Sequence, residues 1–221
     1  MASMIKIWDL PTRLFHWTLV ALFAFLIISG KSDDMMQWHF YAGYLVSGLI
    51  LFRIIWGVLG TRYARFSSFK LNPTAVITYT KNLLKKQHTS YYGHTPAGSV
   101  MVVILLGSLA LQLITGMLST DDILWSGPFY SAVSENTAAV AGKIHETVQN
   151  LLLILVILHI LAIIFYKVKF KEPLVSAMIH GEKPLKDSAK EPAREGVCFF
   201  NLCIAALPAI VLTCWLFTLP I

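Results

Sequence analysis

Charge is scarce in this chain. Only 14% of its 221 residues are Asp, Glu, Lys or Arg, against about 25% in soluble domains. With 56% hydrophobic residues and a mean hydropathy of +0.65, the composition excludes a soluble globular domain and indicates an integral membrane protein. Cysteine is scarce as well. Cys198, Cys203 and Cys214 all fall in the last apolar run, and they form no disulfide framework, metal motif or covalent haem-attachment motif. A small-x-small cleavage site is missing after the first apolar run, so that run is read as a retained anchor. No internal repeat is evident. Membrane lipid is the expected surroundings. No nucleic-acid partner is expected.

What the chain does contain is five apolar runs, near Leu14–Gly30, Phe40–Gly60, Ala97–Leu118, His145–Tyr166 and Val197–Leu219. Each is long enough to cross the hydrocarbon as a helix, which takes about 17 to 25 residues. Aromatic residues at Trp17, Trp38, Tyr41, Trp125 and Tyr166 fall near the expected water boundaries. Asn72-Pro73 resembles a helix cap followed by proline. The apolar positions Val76, Ile77, Leu83 and Leu84 beside Lys81, Lys85 and Lys86 predict a short interfacial helix. Thr95-Pro96 opens the third span in the same way, and Pro208 is expected to bend the fifth.

Bases and acids are segregated. Gly60–Thr95 carries Arg62, Arg65, Lys70, Lys81, Lys85 and Lys86 and no acid, and Lys167–Glu195 carries seven Lys or Arg. The remaining loops hold only Lys31 and Lys143. The positive-inside rule places the N-terminus and both basic segments in the cytoplasm, and five spans then place the C-terminus in the periplasm. The opposite surface holds Asp33, Asp34, Asp121, Asp122, Glu135 and Glu146. That acidic face should attract a basic protein and repel an anion.

His145 and His159 lie fourteen residues apart in HETVQNLLLILVILHILAIIFY. On a helix that spacing returns both imidazoles to one face, roughly 21 Å apart along the axis. Ionisable or ligating groups at such depth are expensive and mark function. His16 opens the first span near the cytoplasm, and His39 opens the second near the periplasm. Matched by depth, the pairs are His39 with His145 and His16 with His159, each able to hold one flat cofactor. Two b haems, each with two axial imidazoles, suit this arrangement and suit electron transfer. A zinc or copper site needs ligands converging on one point, which these pairs do not offer. Gly43, Ser47 and Gly48 follow His39 and leave room for a ring, although small residues also serve helix packing. His88, His94 and His180 fall in basic loops and are expected to be solvated.

Arg53 lies fourteen positions after His39, on nearly the same face and at cytoplasmic depth. It is read as a partner for a haem propionate or a quinone headgroup, or as a snorkelling arginine. Arg13 and Lys6 are lesser candidates of the same kind.

The segments IWDLPTRLFHW, WHFYAGY, RIIWGVLGTRYARF and GHTPAG, with the paired histidines of the fourth span, make the chain resemble the bacterial cytochrome b561 and Ni,Fe-hydrogenase b-type cytochrome superfamily. The resemblance covers about residues 5–185, four spans of five. It implies a four-helix di-haem bundle carrying electrons between quinone and a partner outside the cytoplasm, with His16, His39, His145 and His159 at the haem-ligand positions. The expected domains are residues 1–185 for that bundle, 186–196 for a cytoplasmic linker and 197–221 for an extra transmembrane helix. The extra helix is free for lipid packing, oligomer contact (a homodimer among the options) or partner contact.

The leading functional expectation is an electron conduit in the bacterial inner membrane, between quinol and a periplasmic c-type cytochrome. The alternatives are a superoxide:quinone oxidoreductase, which the acidic face disfavours, an anchor subunit for a hydrogenase or other dehydrogenase, and a small transporter. The last is disfavoured by the lack of an interrupted-helix repeat.

Overall fold

The computed structural model describes residues 4–220 apart from 86, 88, 122 and 185–195. The readings placed on Lys86, His88 and Asp122, and on the linker except for Gly196, lie outside the described residues. The fold is an all-α membrane bundle with five helices long and apolar enough to cross a bilayer.

The first helix, α1, runs Leu10–Ser29, starting before the apolar run itself. Asp9 sets that start: its carboxylate accepts from the Thr12 amide at 2.7 Å, and Pro11 sits in the first turn. The same carboxylate accepts from Trp56 Nε1 at 3.1 Å and Thr61 Oγ1 at 2.6 Å, so one side chain ties α1 to the end of the next span. That span, α2, is Met36–Leu59. The interfacial helix α3 is Pro73–Leu84, capped by Asn72. The third span, α4, is Pro96–Leu118, capped by Thr95.

The fourth span is longer than its apolar run. Helix α5 extends over Glu135–Phe170, 36 residues, or about 54 Å at 1.5 Å per residue, against roughly 30 Å of hydrocarbon. Ser134 caps it, accepting from the Thr137 amide at 3.2 Å. Its first ten residues, ENTAAVAGKI, are too polar to read as membrane but are good helix formers at Glu and Ala. Lys171, left-handed at φ 53°, ends it. His145 is therefore well inside a helix rather than at its start.

A short helix α6, Leu174–His180, and a two-stranded antiparallel sheet were not foreseen. Strand β1, Met4–Lys6, pairs with β2, Glu182–Pro184. Ile5, Ile7, Trp8 and Ala177 pack beneath it, closing the end of the bundle that also carries the basic loops.

The last helix, α7, is Phe199–Leu216, and it lies along α2. A Cβ on Gly48 would meet Thr213 Oγ1 at 2.0 Å and the Ala209 carbonyl at 3.0 Å, so glycine there permits the two backbones to approach. Gly48 thus serves packing against α7. Gly43 faces open space. At one end Asn201 Nδ2 donates to the Leu59 carbonyl at 2.9 Å. At the other Phe217 stacks on Tyr41, ring centres 5.2 Å apart. The bundle centre is an apolar layer of Phe15, Val46, Ile50, Leu109, Val148 and Leu152.

Candidate functional site

Helix direction sorts the four half-buried span histidines into two ends. His39 and His145 lie at the end holding the loops 30–35 and 119–134, here called outer. Their ring centres are 6.4 Å apart. Two imidazoles bound to one first-row metal from opposite sides, at about 2 Å per bond, stand roughly 6 Å apart centre to centre. Their second nitrogens are engaged. His145 Nδ1 lies 2.9 Å from the Gln112 carbonyl, and His39 Nδ1 lies 3.2 Å from Ser29 Oγ. A proton held on Nδ1 by the carbonyl leaves Nε2 with a free lone pair, as a ligand requires.

Glycines make room for both rings. A Cβ on Gly30 would come within 3.0 Å of the His39 ring, and one on Gly116 within 2.6 Å of the His145 ring. A cavity of about 300 Å³ opens beside the pair, lined among others by Gly30, Gln112, Gly116 and Trp125. If this pair holds a haem, as the resemblance implies, a Gly116→Val exchange should push the His145 ring off its position and abolish at least half of that haem's absorbance. The folded helical content by circular dichroism should stay unchanged.

The inner end carries His16 and His159, close enough to interact electrostatically. His16 also meets Trp17 edge-on at 5.0 Å. Its Nδ1 is buried without a partner, unlike the outer pair.

Arg53 is 3% exposed, so it does not snorkel to water. Its guanidinium lies over the Phe66 ring at 4.8 Å, a ring that Gly57 admits by lacking a Cβ. Of the lesser candidates, Arg13 donates to the Ile179 carbonyl and Lys6 sits in the small sheet.

One expectation is corrected. His94 is not a solvated loop residue. Its ring packs between Trp8 at 4.7 Å and Phe69 at 4.9 Å, with Nδ1 buried and without a partner. Burial, with the charges of Arg53, Lys183 and His159 nearby, pushes its pKa down to about 3. The basic loop around it was misleading because the β1–β2 clasp folds over that segment. His180 is exposed, as expected. On the outer face Asp121 accepts from the amides of Trp125, Ile123 and Leu124 at 2.9–3.0 Å. Those N–H donors hold its carboxyl below the usual range, so it shapes its own loop while staying anionic.

Among the described residues no three His, Cys, Asp or Glu side chains gather into one metal site. Imidazoles brought together inside a transmembrane helical bundle are the arrangement that a membrane b-type cytochrome calls for. The chain belongs to the prokaryotic cytochrome b561 family, whose pattern matches residues 7–181. It is accordingly a multi-pass membrane protein that binds b haem and transfers electrons across the membrane. No curated protein matches it.

Proposed function

We propose that the chain carries electrons between the quinone pool and a redox partner on the opposite face of the bacterial inner membrane, through two b haems. His39 and His145 would hold the outer haem, and His16 and His159 the inner one. The observation that carries this reading is the 6.4 Å spacing of the His39 and His145 rings, at one end of helices whose other end bears the second pair.

Each haem would supply a one-electron couple suited to electron transfer. The protein does the rest. The Gln112 carbonyl and Ser29 fix the outer imidazoles, while Gly30 and Gly116 admit the rings. The apolar layer around Ile50 and Leu152 keeps water out between the two levels. Basic segments at the inner end orient the N-terminus to the cytoplasm, and the C-terminus lies in the periplasm. The partner is a basic c-type cytochrome that docks on the outer acids. A haemochrome assay tests the reading: two haems per chain are expected in fully loaded protein, and one per chain would overturn it.

A further inference from the structure

Among the described residues, five of the seven buried side-chain nitrogen or oxygen atoms without a hydrogen-bond partner sit at the inner end. They are Thr12 Oγ1, Arg13 Nε, His16 Nδ1, Arg53 Nη1 and His94 Nδ1. Native interiors leave few such atoms, and the arginine nitrogens can only donate. The buried arginine nitrogens therefore lack an acceptor. Arg53 reaches this point from α2, and His94 from the turn before α4. Both are held by aromatic rings, Phe66 under Arg53 and Trp8 and Phe69 around His94.

We infer that Arg53 and His94 hold one propionate carboxylate of the inner haem, Arg53 as the charged donor and His94 as a second N–H donor. This rests on the reading that His16 and His159 ligate a haem at that end.

Charge selects a carboxylate. The nearby acid is Asp9, but its oxygens accept from Thr12, Trp56 and Thr61. Arg53 is a buried guanidinium beside His94, and a carboxylate would give its unpartnered Nη1 both an acceptor and an opposite charge. A neutral quinone carbonyl would accept the same hydrogen bonds but bring no negative charge to the buried guanidinium.

The test uses full-length protein loaded with haem. Arg53→Gln should lower the reduced-to-oxidised ratio of the inner haem about tenfold at fixed potential, about 59 mV for one electron, with the outer haem unmoved. His94→Phe, which changes no charge, should move it less but in the same direction. Both should shift the propionate bending band of the resonance Raman spectrum, and Arg53→Lys should restore most of the potential. If neither variant moves the band or the inner potential, the proposal is overturned. If both leave the band unchanged yet abolish the spectral response of the inner haem to added quinone, the pair binds a free headgroup and the proposal also falls. Failure of the parent reading looks different: wild-type protein would hold only one haem. Should Arg53→Gln not assemble, His94→Phe with its Raman band decides alone.

Discussion

Replacing His145 by alanine should remove the outer haem and leave the inner one spectrally intact. The His145 ring stands 6.4 Å from His39 across the outer site, and among the described residues no other histidine packs against that pair. His159→Ala should do the reverse and remove mainly the inner haem. The haem content of each variant should fall to about half, with reduced-minus-oxidised spectra that sum to the parent spectrum. Such losses far exceed the helix destabilisation either exchange brings, since alanine is a good helix former. Equal loss of both signals in each variant would contradict the pairing.

Transfer from reduced protein to a basic c-type cytochrome should be fast at low salt and fall at least about tenfold toward physiological ionic strength, where exposed charges are screened over roughly 8 Å. Asp33, Asp34 and Glu135 are exposed at the outer end. Exchanging them together for their amides should slow the encounter at low salt and flatten the salt dependence. Both haem spectra should remain intact, because none of the three lines the outer cavity. A rate independent of salt would remove the acidic face from the account.

Much of the bundle was legible because its signals are local. Apolar length marks a span whatever lies beside it, and Asn72-Pro73 and Thr95-Pro96 mark helix starts by the caps they build. The matching of the span histidines by depth followed from the alternating direction of successive spans. What stayed hidden depends on contacts distant in sequence. The outer extension of α5 is polar and is made helical by its Ser134 cap. The β1–β2 clasp joins residues near 5 and 183, and no six-residue pattern could announce it. His94 was misplaced for that reason: its neighbours in sequence are polar, but its neighbours in space are Trp8 and Phe69. Gly30 and Gly116 carry no visible signal, because their role is the volume left for His39 and His145. One face of α7 packs along α2, where Gly48 permits close approach, which the apolar run alone did not indicate.

The most direct test of the account is electron transfer across a sealed bilayer. The protein is reconstituted with both haems into vesicles that hold ferricyanide, and dithionite, which does not cross the bilayer, is added outside. The account predicts that the trapped ferricyanide is reduced at a rate proportional to the protein present, and that His145→Ala or His159→Ala vesicles fall to the protein-free rate. Ferricyanide that stays oxidised while the haems on the dithionite side become reduced would contradict it.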